Sequence, residues 1–151
     1  MDWQDYKVRN TNIEGARAAF EKDCATLFNT IYPDKNVKTV KVTQGDGGID
    51  VFIGEIGIEP ITVIQCKFFL EEFGNSQQQQ IRESFKTAIK SSDYEMKEWI
   101  LCIPRILDLK QNMWWSNWVD KTKLTYSLDH EFINLKNGNG LIDLFKEHKA
   151  F

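Results

Sequence analysis

The apolar positions along the chain change their spacing several times, and each change marks a new element. From Ile13 to Ile31 they recur at helical intervals, which predicts a first helix that is capped by Asn12 and runs to about Tyr32. Residues 36–42 (NVKTVKV) then alternate and are rich in β-branched side chains. This second pattern predicts a strand directly after the helix.

Two further strands are expected to form a hairpin. The glycines of residues 45–48 predict a turn, and residues 49–53 predict a second strand. Another turn at residues 54–57 leads into a third strand over residues 61–69. Strands joined by a short connection normally pair antiparallel. Three consecutive strands therefore follow the first helix.

Helix and strand patterns alternate in the second half of the chain. A helix capped by Asn75 or Ser76 is expected to run to Ile89, with apolar positions at helical spacing. Residues 98–104 (EWILCIP) are nearly all apolar, which is typical of a strand that is buried on both faces.

The last third predicts a helix over residues 108–119, a strand over residues 124–133 and an amphipathic helix over residues 139–145. The complete order of elements is then α-β-β-β-α-β-α-β-α. That order is typical of an α/β fold in which helices cover both faces of a mixed sheet.

Length and composition favour one globular domain over residues 1–151. Hydrophobic residues make up 42% of the chain, enough for a packed core. No apolar stretch approaches the ~20 residues that span a bilayer, and the first ten residues lack a signal-peptide pattern, so no membrane partner is expected. The net charge of −3 gives no support for DNA binding by overall charge, although it leaves room for a local basic patch.

The three cysteines are scattered along the chain, and each falls within an apolar pattern. They are Cys24, Cys66 and Cys102. Their odd number and wide spacing favour buried free thiols over disulfides or a zinc site. Thiols that stay reduced indicate a cytoplasmic protein.

Three polar side chains interrupt the apolar strands of the expected hairpin. Gln65 and Lys67 lie two residues apart in the run VIQCKFF, so they share one face of the third strand, roughly 7 Å apart. Asp50 lies in the preceding strand, on the face opposite to Val51. If the two strands pair, an acid, an amide and an amine converge at one edge of the sheet.

This grouping suits metal-assisted hydrolysis of a phosphodiester. A divalent cation polarises the phosphoryl oxygen and lowers the pKa of the attacking water. Mg²⁺ takes oxygen ligands and keeps several waters, so carboxylate, amide and backbone carbonyl oxygens suffice. A lysine can orient the water or neutralise charge that develops on the phosphate. Polar groups in a buried strand cost several kcal/mol unless they are paired, which favours one joint role for all three.

The run GDGGID followed by VIQCK resembles the Mrr-like branch of the PD-(D/E)XK nucleases. That branch has an acid after a glycine-rich turn, then Q-x-K where most relatives have E-x-K, and a Phe-Glu pair on the first helix. Here Phe20-Glu21 stands where that pair belongs. The resemblance implies the restriction-endonuclease-like αβββαβ core. The residues that it implies for the site are catalytic Glu21, Asp50, Gln65 and Lys67, metal-binding Asp50, Glu21, Gln65 and the Cys66 carbonyl, and substrate-binding Gln78 or Gln79.

By this resemblance the chain is a Mg²⁺- or Mn²⁺-dependent DNA endonuclease, with double-stranded DNA as the expected substrate. The later segments resemble nuclease domains at the N-termini of bacterial antiphage defence proteins. Sensor or NTPase domains would then follow this chain in a longer protein, and a homodimer would supply two active sites for duplex cleavage. Two alternatives stay open: a non-catalytic module for DNA binding or self-association, and a nuclease for RNA or branched DNA.

Several residues allow more than one interpretation. Glu14 lies on a similar helix face and is an alternative to Glu21, and Asp46 could reach the metal from its turn, although exposure to solvent is favoured. The tryptophans of residues 113–118 (MWWSNW) could stack on bases, but helical spacing favours core packing, with Trp114 or Trp115 and Trp118 turned inward.

Overall fold

The computed structural model describes residues 13–39, 50–69 and 72–148. Within them the chain forms four helices and five strands, in the order that the sequence predicts. The elements are α1 (Ile13–Ile31), β1 (Val37–Thr39), β2 (Val51–Ile53), β3 (Ile61–Cys66), α2 (Asn75–Ile89), β4 (Met96–Ile103), α3 (Leu109–Tyr126), β5 (Ile133–Asn137) and α4 (Gly138–Glu147).

The five strands form one mixed sheet in the order β1-β2-β3-β4-β5. The first three strands are antiparallel neighbours, which confirms the expected hairpin. β4 and β5 run parallel to β3, each reached through a helix that crosses back over the sheet. The protein is therefore an α/β fold around a mixed sheet, with β4 as an interior strand.

Each face of the sheet carries its own hydrophobic core, because side chains alternate along every strand. One core joins α1 and α4 to alternate positions such as Val51, Ile64 and Cys66. The other joins α2 and α3 to the intervening positions, including Phe52 and Val63. Both faces of β3 and β4 are thus covered, as the nearly continuous apolar runs of these strands predict.

The expected strand over residues 124–133 is wrong, because α3 continues through Tyr126. Thr122 and Tyr126 extend the inward stripe of Trp118 by successive steps of four residues, and the helix ends at Ser127 in the left-handed conformation, φ 54°. The strand itself begins at Ile133. The short run Leu124, Thr125 and Tyr126 suits either structure, and packing of Tyr126 against the second core favours the helix.

The aromatic residues of α3 pack inward, as their helical spacing predicts. Trp118 lies 5.7 Å from the ring centre of Phe85 and 5.9 Å from that of Trp99, both in edge-on arrangements. Trp114 and Trp115 pack partly buried against the same core. These contacts attach α3 to the sheet and bury all three tryptophans in part, which favours core packing over base stacking.

All three thiols are buried, which confirms that part of the prediction, yet they are not scattered in space. Cys66 and Cys102 are direct partners on the parallel strands β3 and β4, and both pack with Cys24 of α1 in the first core. Burial raises the pKa of the Cys24 thiol. The three side chains thus join α1 to β3 and β4, on the face of β3 that is opposite to Gln65.

Some predicted features lie outside the described residues. They are the Asn12 cap, the continuation of β1 to residue 42, the glycine-rich turn over residues 45–48 with Asp46, and the start of the second strand at Ile49. In the described part of the chain, none of the helices combines the length and the apolar character that a membrane crossing requires.

Candidate functional site

Asp50 and Gln65 lie opposite each other across the antiparallel pair β2–β3. The register pairs Val51 with Ile64, so the next position places Asp50 directly beside Gln65. The Gln65 Nε2 donates to Asp50 Oδ2 at 2.7 Å, and the backbone N–H of Cys66 donates to the same oxygen at 3.0 Å. Two donors therefore hold the carboxylate in a defined orientation at the end of the strand pair.

The hydrogen bond to Asp50 also fixes the orientation of the Gln65 amide. A carboxylate only accepts hydrogen bonds, so the NH₂ group must face Asp50 and the amide oxygen must face away. The side chain is 4% exposed, and its Oε1 has no hydrogen-bond partner among the described residues. A buried oxygen without a donor costs roughly 1–3 kcal/mol, which is offset if a ligand binds there.

Lys67 follows β3 directly, and its backbone N–H donates to the Cys102 carbonyl at 3.0 Å, which prolongs the ladder with β4 by one residue. The side chain is partly buried beside both acids of the site. Burial lowers the pKa of its ammonium below the ordinary value, the Asp50 and Glu21 carboxylates raise it, and the Arg17 guanidinium lowers it. The Lys67 amine thus lies near two acids, Asp50 and Glu21, and near a second cation, Arg17.

The first helix completes the site from the other side. Phe20 is fully buried and packs against Phe68 with ring centres 5.6 Å apart, which fixes α1 beside the end of β3. Glu21, the next residue, therefore faces the cleft. The cleft brings together all four residues that the sequence predicts for the site; its lining consists of Arg17, Glu21, Asp50, Gln65, Cys66, Lys67, Phe68, Phe69 and Gln80.

Arg17 is the functional candidate that sequence reasoning missed. It lies four residues before Glu21 on α1, so both side chains project from one face of the helix into the same cleft. The spacing of four residues could have indicated Arg17 from the sequence, because residues one helical turn apart lie side by side on a helix. The side chain of Glu14, the alternative acid, lies outside the described part of the chain.

The glutamines of residues 77–80 do not share one environment along the first turns of α2. Gln77 Oε1 accepts from the Gly74 N–H at 2.9 Å, so this residue helps to cap the helix. Gln79 lies on the surface and accepts from Arg82 Nη2 at 2.6 Å. Gln80 lines the cleft, whereas Gln78 and Gln79 do not. The substrate contact of Gln78 or Gln79 stays a prediction, and Gln80 is the glutamine of the run that lines the cleft.

Replacing Gln80 by Ala is expected to weaken substrate binding at the cleft several-fold, because it removes one neutral hydrogen-bonding group, worth roughly 0.5–1.5 kcal/mol. Gln79→Ala removes the same group from the neighbouring exposed position and should leave substrate binding unchanged. Titration of a labelled duplex oligonucleotide with both variants measures the difference. Equal affinities for the two variants would contradict a substrate contact by Gln80.

The donor set at this cleft fits a small hard cation. Asp50 and Glu21 offer carboxylate oxygens, and Gln65 offers a buried amide oxygen that has no other partner in the described chain. These are the ligand types that Mg²⁺ and Mn²⁺ prefer. Residues 13–39, 50–69 and 72–148 contain no group of three or more His, Cys, Asp or Glu side chains placed to hold a metal. Any cation here would depend on two acids, the amide and backbone or water oxygens.

The size of the cleft limits what can react in it. Its volume is about 90 Å³, well below the roughly 300–1,000 Å³ of pockets that enclose a small molecule. A wider groove of about 460 Å³, lined by residues such as Phe28, Tyr32 and Lys136, contains none of the predicted site residues. The cleft is therefore too small to enclose a whole small molecule and has room for one small group.

Comparison of the chain with models of protein families, with curated proteins and with solved structures found no match in any of the three.

Proposed function

We propose that the protein is a metal-dependent endonuclease that hydrolyses phosphodiester bonds in DNA, with the duplex as its substrate. The observation that carries this proposal is the convergence of Glu21, Asp50, Gln65 and Lys67 in one cleft. The order of elements and the mixed sheet are compatible with a restriction-endonuclease-like αβββαβ core, which the resemblance to Mrr-like nucleases implies. Support comes equally from the small cleft, which admits a backbone phosphate.

In this proposal Asp50, Gln65 and Glu21 hold a Mg²⁺ or Mn²⁺ ion, together with the Cys66 carbonyl. Such an ion would polarise a phosphoryl oxygen and promote ionisation of a water molecule. The Cys66 N–H and the Gln65 amide keep the Asp50 carboxylate oriented before substrate arrives, so no reorganisation is needed at the moment of reaction.

Lys67 supplies the second element of the mechanism. The backbone N–H of Lys67 donates to the Cys102 carbonyl, which anchors the residue at the end of β3, and its side chain lines the same cleft as the acids. Placed beside a scissile phosphate, it would neutralise the charge that develops on the phosphoryl oxygens or orient the attacking water. Partial burial strengthens this effect because water screens the charge less.

Incubation of the protein with supercoiled plasmid tests this function directly. We expect nicked or linear product with Mn²⁺ or Mg²⁺, no product with EDTA, and none from Asp50→Ala in any buffer. The physical reason is that Asp50 carries a charged oxygen held directly beside the Gln65 amide. Wild-type cleavage by Asp50→Ala, or cleavage that persists in EDTA, would contradict the assignment.

A second candidate function is a non-catalytic module for DNA binding or self-association. It is favoured by the neutral Gln65 in the position where most relatives of the resembled family have an acid, and by the small number of acids in the cleft. Calorimetric titration with Mn²⁺ separates the two functions. Metal uptake that disappears in Asp50→Asn supports the nuclease, and no uptake by the wild-type protein supports the module.

Further partners are part of the same proposal. Cleavage of both strands needs two active sites or two successive events, so a homodimer on the duplex is proposed. C-terminal sensor or NTPase domains in a longer protein, and a cytoplasmic role in antiphage defence, follow from the same resemblance. Sedimentation of the protein with and without duplex would measure the oligomeric state.

A further inference from the structure

We propose that Arg17 binds the backbone phosphate of the nucleic acid at the cleft, as a second cation beside Lys67. This inference rests on the proposed function and deepens it, because it names the group that holds the substrate. Arg17 and Lys67 both line the cleft, one from α1 and one from the end of β3. Two cations from different elements would then contact the same phosphate or adjacent ones.

The charge of the cleft supports this role. Glu21 and Asp50 contribute two negative charges, which Arg17 and Lys67 balance, so the cleft is neutral by itself. A divalent cation held by the acids would leave a net charge of about +2, which matches the roughly two negative charges of a phosphodiester under attack by hydroxide. Without Arg17 this balance would fall one charge short.

The position of Arg17 is explained poorly by an ion pair within the helix. Arg17 and Glu21 stand four residues apart with the cation nearer the N-terminus, which is the weaker order for such a pair. Arg17 is also exposed to solvent, and exposed pairs contribute only about 0–1 kcal/mol. Its side chain nevertheless lines the same cleft as Lys67, from a different element of the fold. The guanidinium therefore lies where the second cation of a phosphate site is needed.

The chemistry of the guanidinium suits a phosphate group. Its planar fork donates two parallel hydrogen bonds to two phosphate oxygens, whereas a lysine acts as a single point charge. A contact of this kind carries no sequence information. We therefore expect Arg17 to raise the affinity for duplexes of any sequence by the same factor.

Binding of a labelled duplex in EDTA, at several salt concentrations, tests the inference without any need for hydrolysis. Arg17→Ala is expected to raise the Kd about tenfold, as befits loss of a charged hydrogen bond. It should also lower the slope of log affinity against log salt by about 0.9. Arg17→Lys should keep the slope and lose part of the affinity. Two duplexes of unrelated sequence should show the same changes.

Lys22→Ala is the matched control. It removes one positive charge from the same helix, five residues away and outside the cleft lining, and should bind like the wild-type protein. Thermal unfolding of each variant checks that the fold is kept, and Arg17→Lys serves as the test if Arg17→Ala does not fold. Arg17 variants that bind as Lys22→Ala does, or a wild-type protein that binds no duplex in EDTA, would overturn the inference.

Cleavage in Mn²⁺ separates this inference from the proposed function. If the plasmid is cut in a Lys67-dependent manner while Arg17→Ala binds and cuts normally, the nuclease function stands and the role of Arg17 falls. If the wild-type protein does not cut the plasmid but Arg17→Ala binds duplex more weakly than the wild-type protein does, the phosphate contact is supported and the proposed nuclease function is contradicted.

Discussion

Lys67→Met is expected to abolish plasmid cleavage, with a fall of at least roughly 10²–10³-fold in rate, while the protein stays folded. Met has a similar length and packs well in partly apolar surroundings, so the substitution removes the charge and keeps most of the volume. A loss of roughly 10²–10³-fold is what removal of one preorganised hydrogen-bond donor costs other enzymes. The measurement is the rate of supercoiled plasmid loss in Mn²⁺ at saturating protein.

The same variant should be at least as stable as the wild-type protein at neutral pH. Burial lowers the pKa of Lys67, so the folded state holds this proton less tightly than the unfolded state does. The charged ammonium therefore opposes folding at neutral pH, and this penalty disappears as the pH rises through the lowered pKa towards the ordinary one. The stability advantage of Lys67→Met over the wild-type protein should shrink over that alkaline range.

Lys121→Met provides the control, because Lys121 is exposed on α3 and does not line the cleft. It makes the same chemical change and should leave both the cleavage rate and the pH dependence of stability unaltered. If Lys67→Met cut plasmid as fast as Lys121→Met, Lys67 would have no catalytic role. If it unfolded instead, the loss of activity would reflect the fold, and Lys67→Arg would be the variant to compare.

The sequence predicted the pairing of Asp50 with Gln65 because that pairing depends on local rules. Alternation along a strand assigns each side chain to a face, and a short connection makes two strands antiparallel neighbours. The register then follows from the apolar positions, and the 2.7 Å hydrogen bond between the two side chains confirms it. Glu21 was predicted through the resemblance. Phe20 packs on Phe68 and so holds α1, with the neighbouring Glu21, beside the end of β3.

The parts that the sequence did not predict depend on how separate elements pack. Gln80 lines the cleft because the first turns of α2 lie beside the end of β3. The apolar stripe of α2 predicts its rotation about its own axis, but not its position relative to that strand. The convergence of Cys24 with Cys66 and Cys102 requires α1 to cross two strands that are distant in sequence. Likewise, the end of α3 was missed because Thr122 and Tyr126 reveal their inward stripe only against the core.

Gln65→Glu is expected to strengthen metal binding and to destabilise the metal-free protein. The carboxylate would replace a neutral oxygen ligand with a charged one, so the Kd for Mn²⁺ should fall about tenfold or more. Without metal, the new acid would face Asp50 Oδ2, where the amide now donates at 2.7 Å. Two adjacent carboxylates repel, and the lost hydrogen bond costs roughly 1–3 kcal/mol of the free energy of unfolding.

Calorimetry and thermal unfolding with and without Mn²⁺ measure both effects. The two changes have opposite signs, so the rise in midpoint temperature on adding Mn²⁺ should be larger for Gln65→Glu than for the wild-type protein. Gln79→Glu adds the same charge on the surface beside Arg82 and should alter neither quantity. A Gln65→Glu protein with unchanged Mn²⁺ affinity would show that Gln65 is no ligand. The opposite result is expected, because the buried Oε1 accepts no hydrogen bond from the residues that the structure describes, and a cation would satisfy it.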